Sequence, residues 1–175
     1  MGRLRCFRTP GSIQLDPGNE VPPISHDDSD GSGDATITVD PQTRTAWYRA
    51  RWCCMTGPAT MAHFHRGARG STGPVVHALP ISVGDSVVEG VWTGLSDQDI
   101  ADIRSGNIYL NVHTDTYPNG EIRGQVIPIA AFTAAVSAKN EVPANSTSAE
   151  GTGITLAFGE HRRSFQFLES SWWKG

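Results

Sequence analysis

The residues best suited to chemistry in this chain are two histidines set two apart, His63 and His65, in the run Met61-Ala62-His63-Phe64-His65. An extended strand turns successive side chains to opposite faces, so both imidazoles project together while Ala62 and Phe64 face away. Two imidazoles at that spacing can share one divalent transition metal, with a third donor arriving from elsewhere in the fold. His113 is the candidate for that place. Ile108, Leu110 and Val112 alternate with Tyr109, Asn111 and His113, which leaves His113 on the polar face of its own strand. Three imidazoles with few thiolates nearby suit Cu(II) or Zn(II), and copper is the tighter binder in the Irving–Williams order. The competing reading is that all three are surface or core histidines with ordinary hydrogen-bonding roles.

Glu121 and Arg123 fall on the polar face that His113 occupies. Either they support the imidazoles from behind, orienting a ring through a hydrogen bond, or they form cross-strand ion pairs worth ~0.2–1 kcal/mol. His77 shares a face with Val75 and Leu79 and reads as a packing residue, while His26 sits among acids in a loop. Cys53 and Cys54 follow Trp52 on a strand; near His63 they would be thiolate donors, and otherwise small buried hydrophobes. The acid-rich stretch His26–Asp34 superficially matches a calcium loop. The EF-hand pattern, however, requires a bidentate acid at its twelfth position, and counting from Asp28 reaches Val39. No Gly-x-Ser-x-Gly elbow, P-loop or dinucleotide fingerprint is present.

These residues need strands to hold them, and the chain supplies a regular series. Short alternating runs fall at residues 12–15, 34–39, 45–54, 60–65, 74–79, 86–92, 107–113 and 120–129, separated by turns rich in the 19 glycines and 11 prolines. In the third run Ala46, Tyr48 and Ala50 lie on one side and Trp47, Arg49 and Arg51 on the other. Ser96–Arg104 is the one helical stretch, with Ser96 as N-cap, early acids that suit the dipole, and a stop before Gly106. The pattern predicts an all-β fold, an antiparallel sandwich or a barrel, with one short helix. Tyr117-Pro118-Asn119-Gly120-Glu121 reads as a three-residue hairpin loop pairing Tyr117 with Glu121. That register sets Asp115 opposite Arg123 and His113 opposite Gln125.

An internal repeat is visible. Asn19-Glu20-Val21-Pro22 returns as Asn140-Glu141-Val142-Pro143, and Gly33-Asp34-Ala35-Thr36-Ile37-Thr38 is echoed by Gly151-Thr152-Gly153-Ile154-Thr155-Leu156. The second copy stops near Trp172-Trp173, before any counterpart of the histidine segments. The expected organisation is a flexible basic tail at residues 1–11, one complete domain at 12–130, and a truncated second repeat at 131–175. A partial unit does not close its own core, so the second repeat docks on the first, pairs with another chain as in a dimer, or stays loosely ordered.

Several segments, in this order, resemble the CHRD (chordin-like) domain. They are Asn19-Glu20-Val21-Pro22-Pro23, Ala62-His63-Phe64-His65-Arg66-Gly67, Gly73-Pro74-Val75-Val76, Gly106 through Thr114, and Pro118-Asn119-Gly120-Glu121-Ile122-Arg123-Gly124-Gln125. The resemblance implies an immunoglobulin-like sandwich, secreted or held in the cell envelope, without established catalytic activity and often in tandem copies. It also implies metal binding, because the family's His-x-His and Asn-x-His-Thr segments fall on His63, His65 and His113.

Composition narrows the field further. The formal net charge is −4 and basic residues are scattered, against the clustered cationic face that nucleic acid demands. No apolar run reaches the ~20 residues that span a bilayer as a helix. The basic N-terminus, with Arg3, Arg5 and Arg8, has no hydrophobic stretch behind it, so no signal peptide is visible. Three cysteines, an odd number, leave the disulfide state open. The functional expectation is a non-catalytic module for an unidentified protein partner, carrying a three-histidine site for copper or, alternatively, zinc. A copper-dependent redox or superoxide-dismutase-like enzyme and a purely structural or adhesive domain are the alternatives.

Overall fold

Alternation in the third run translates directly into a buried and an open face. Ala46, Tyr48, Ala50 and Trp52 are buried, whereas Trp47 on the other side is 47% exposed. The computed structural model of the chain describes residues 12–127 and, as backbone, the strands of residues 130–137 and 150–157. The expected N-terminal tail lies outside the described residues. The chain divides into two compact units, residues 1–128 and 129–175.

In the first unit the strands are β1 (Ile13–Leu15), β2 (Ser32–Asp40), β3 (Thr45–Cys53), β4 (Ala59–Arg66), β5 (Val75–Ala78), β6 (Val87–Thr93), β7 (Ile108–Thr114) and β8 (Ile122–Gln125). They form two antiparallel sheets, ordered β1-β2-β3-β6 and β5-β4-β7-β8. The expected all-β sandwich with a single short helix is what the chain adopts. Ile13, Trp52, Val88 and Trp92 from the first sheet meet Phe64, Ile108, Leu110 and Ile122 from the second in one core. Phe64 stacks on Trp92 with centroids 6.0 Å apart and meets Tyr48 edge-on at 5.5 Å. His77 joins this aromatic layer, stacked at 5.0 Å on Trp92 and hydrogen-bonded to the Tyr48 hydroxyl at 3.1 Å, which is the packing role expected of it. At one edge the two sheets touch directly, through a bridge between Asp16 and Arg123.

The helix α1 (Asp97–Ser105) carries a capping box. The Ser96 hydroxyl accepts from the Asp99 amide, Asp99 returns a bond to the Ser96 amide, and Gly106 closes the helix in the left-handed region at φ 75°. Asp99 and Asp102 both grip Arg66 at the end of β4, at 2.6 and 2.7 Å, so the helix anchors the strand that carries His63 and His65.

The β7–β8 hairpin departs from the expected register. Val112 faces Ile122, Asn111 faces Arg123 and Tyr109 faces Gln125. Compared with the expected pairing, β8 has slid by four residues, and the connection covers residues 113–121. An even slip keeps every side chain on its face, which is why the hydrophobic pattern alone did not reveal it. The wider connection folds back on itself, with the Gly120 amide donating to the Tyr117 carbonyl at 3.0 Å and the Glu121 amide to Val112 at 2.8 Å. Gly120 sits at φ 124° against the Asn111 amide, where a Cβ would collide.

The second described unit is a two-stranded antiparallel ladder of β9 (Ala130–Ser137) and β10 (Glu150–Ala157).

Candidate metal centre

Strand pairing brings the three histidines together. β4 and β7 are neighbours, with Met61 opposite His113 and His63 opposite Asn111, so His113 is the diagonal neighbour of His63 on the same face. Ala62 and Phe64 point into the core, leaving His63 and His65 on the outer face of the sheet. Donor atoms of the three rings all lie within 4.8 Å of one another. His63 Nδ1 and His113 Nε2 are 3.2 Å apart. Metal–nitrogen bonds of ~2.0–2.1 Å place tetrahedral donors roughly 3.3 Å apart, so that pair is already at ligand spacing and an ion would draw His65 inward.

Backbone carbonyls set the tautomers. His113 Nδ1 faces the Pro118 carbonyl at 3.0 Å, and His65 Nδ1 faces the Gly73 carbonyl at 3.0 Å. Carbonyls only accept, so both Nδ1 atoms carry the hydrogen and both Nε2 atoms hold a lone pair. His65 Nε2 is buried and has no hydrogen-bond partner. A buried orphan acceptor is costly unless something answers it. Because His113 Nε2 is an acceptor, the hydrogen between it and His63 belongs to His63 Nδ1; a metal taking both atoms would shift that hydrogen to His63 Nε2.

Glycine makes one of these contacts possible. A Cβ at Gly73 would collide with the Arg66 carbonyl, so only glycine brings this backbone close enough for its carbonyl to reach His65. The Gly73 amide in turn donates to the Tyr109 hydroxyl at 3.1 Å. Tyr109 lies flat on His65, centroids 4.8 Å apart and planes 10° apart, and the Arg123 guanidinium covers the ring's other contacts from 3.5 Å. The sequence offered a signal for Tyr109, an aromatic on a polar face, that the histidine spacing overshadowed.

The two supporting residues expected from sequence part company. Arg123 does reach the cluster, through Tyr109 and through its charge, which along with burial holds His65 below the usual histidine range while the Gly73 carbonyl pulls the other way. It faces Asn111 across the ladder, so the alternative cross-strand ion pair with Asp115 is absent. Glu121 does not bond an imidazole. It is fully buried, and its carboxyl group accepts from Ser29 Oγ at 2.7 Å, Thr56 N and Oγ1 at 2.8 Å each, and Thr114 Oγ1 at 2.6 Å. That correction follows from the loop: the wide β7–β8 connection turns Glu121 toward donors on two other loops. The cysteines are not part of the cluster; Cys53 is engaged in a disulfide, and the Cys54 Sγ stands 3.2 Å from the Cys53 sulfur.

The CHRD family model matches residues 12–126, two thirds of the chain and all of its histidine cluster. The chain belongs to the CHRD domain family. The match covers one copy of the domain and stops before residues 131–175. No curated protein and no solved structure matches the chain. No helix among the described residues is long and apolar enough to cross a membrane.

Electrostatics in this CHRD domain favour neutral imidazoles. Burial, then the neighbouring His63 and His65, push His113 down to about 4 against the Pro118 carbonyl; burial and His65 also lower His63. In the unfolded chain such a histidine takes up a proton near 6.5, which the folded protein refuses. His113 therefore contributes stability above pH 6.5 that is lost as pH falls toward 4, about 3 kcal/mol for this shift. Glu20 runs the opposite way. Burial raises it to about 7 despite Arg123, so its contribution is present below pH 4.5 and lost as pH rises toward 7. In the metal-free wild type Glu20 offsets His113, while His63, His65 and His77, all lowered chiefly by burial, add to the loss at acid pH. In Glu20→Gln, urea unfolding should show stability falling by at least about 3 kcal/mol between pH 7 and pH 4. A pH-independent variant would mean that His113 titrates normally.

Proposed function

We propose that the domain is a non-catalytic binding module that holds one transition-metal ion, copper ahead of zinc, on His63, His65 and His113. The observation that carries this reading is the buried, partnerless Nε2 of His65 in a cluster of three imidazoles whose ligand atoms lie within 4.8 Å of one another. Carbonyls behind His65 and His113 are the supporting contacts that metal-bound histidines typically have. An all-nitrogen set suits Cu(II) and Zn(II), and the Irving–Williams order ranks copper first. The disulfide at Cys53 agrees with the family's exported habit, since such bonds persist in oxidising compartments.

The second unit fits the start of a second CHRD copy. In the first copy Leu15 pairs with Gly33, and Asn19-Glu20-Val21-Pro22 begins four residues after Leu15. In the second Val136 pairs with Gly151, and Asn140-Glu141-Val142-Pro143 begins four residues after Val136. Strand pairing and sequence repeat thus share one register.

Metal analysis of the chain after equilibration with Cu(II) or Zn(II) and removal of excess should give one ion per chain. A superoxide or oxidase assay on the copper form should show no turnover above free copper. Turnover that tracks copper content would replace the binding module with a redox enzyme, and failure to retain any metal would remove the site.

A further inference from the structure

A second candidate site lies beside the histidine face and is independent of the metal. Arg123 is 2% exposed and forms no direct ion pair among the described residues, although Glu20 acts on it electrostatically. Nη2 donates to the Ala68 carbonyl at 3.1 Å and to Gln125 Oε1 at 3.4 Å, and the ring of Tyr109 lies against the carbon. Nε and Nη1 make no hydrogen bond, and neither is among the fully enclosed orphan atoms. Arg123 lines a cleft of 480 Å³ together with Arg69, Glu20, Val21, Pro23 and Ile127. Arg69 projects from the β4–β5 loop and is exposed, with no ion pair among the described residues. The single acid of the cleft makes no direct contact with these cations among the described ion pairs. Glu20 is 7% exposed, its Oε1 lacks any partner, and it forms no ion pair with Arg123.

With Nη2 engaged, neither two-nitrogen face of the guanidinium is free, but an open N–H on either flank can donate a charge-assisted hydrogen bond to one carboxylate oxygen. The rest of the lining used here, Val21, Pro23 and Ile127, is apolar and suits a hydrocarbon body. The volume is within the range of small-ligand pockets. Glu20, raised to about 7 by burial, is mostly uncharged at slightly acid pH and tolerates an anion beside it. We infer that this cleft binds a small organic carboxylate with an apolar body, one carboxylate oxygen accepting from Nε or Nη1 of Arg123 and Arg69 lining the same cleft.

The test uses the full chain, stripped of metal on a chelating resin, with benzoate as probe. Benzamide, which has the same shape without the charge, and inorganic phosphate are the comparisons. Calorimetric or NMR titration should show saturable 1:1 binding of benzoate, with benzamide and phosphate at least about tenfold weaker. Amide shifts should centre on residues 19–23, 67–70 and 123–127. Arg69→Gln should weaken benzoate severalfold, and Arg123→Lys by about tenfold or more, because a compact ammonium does not reproduce the placement of the guanidinium N–H groups. Should Arg123→Lys not fold, Arg69→Gln and the benzamide comparison still decide. Equal binding of benzoate and benzamide, tighter binding of phosphate, shifts centred on His63, or no saturation would overturn the inference.

Discussion

Glu121→Ala is expected to destabilise the domain by about 3–5 kcal/mol, a large part of what a domain of this size possesses. The carboxyl group is wholly enclosed and receives four hydrogen bonds from three separate segments: Ser29, Thr56 and Thr114. Alanine would leave the buried Ser29 and Thr114 hydroxyls facing a void and take the partner from the Thr56 amide and hydroxyl, which lie nearer solvent. Each orphaned buried donor costs about 1–3 kcal/mol, and the hydroxyls recover part by turning elsewhere. Glu121→Gln should cost less, about 1–3 kcal/mol, since the amide fills the space but offers N–H groups where donors already converge. Urea unfolding should show the midpoint falling with the slope unchanged. A loss under about 1 kcal/mol for the alanine variant would mean that the network is not holding the loops. Because Glu121 touches no imidazole, the glutamine variant should keep its metal affinity, which separates this role from direct support of the cluster.

His113→Ala is expected to weaken Cu(II) binding by more than about 100-fold, beyond the ~10–100-fold that follows loss of a supporting contact alone. His113 is the most enclosed of the three rings and is braced by Pro118. It contributes the nitrogen already 3.2 Å from its neighbour on His63. His63→Ala and His65→Ala should act in the same direction, with folding largely retained because Ala62, Phe64, Leu110 and Val112 carry the core beneath them. Competition titration against a chelator of known affinity measures the change. Wild-type affinity in His113→Ala would place the metal elsewhere.

Much of this arrangement was legible in the chain because β-structure has a period of two. Alternation alone put Phe64 inside, His63 and His65 outside, and His113 on the matching face of β7. The helix cap at Ser96 and its stop at Gly106 were equally local signals. The β7–β8 register was not legible, because registers differing by an even number of residues bury the same side chains. The choice between them rests on Glu121 finding donors at Ser29 and Thr56, which are 92 and 65 residues away in sequence. The carbonyls of Gly73 and Pro118 were hidden as well, whereas Tyr109 left a signal as an aromatic on a polar face. Backbone groups leave no trace in residue type, except through glycines such as Gly73 that allow close approach.

The most direct test of the metal-centre account is the electron paramagnetic resonance spectrum of the metal-free chain given Cu(II) stepwise. The account predicts a single species that saturates at one equivalent, with hyperfine splitting from imidazole nitrogens that changes in each of the three histidine variants. A spectrum without nitrogen splitting, or one that His63→Ala, His65→Ala and His113→Ala all leave unaltered, would contradict it.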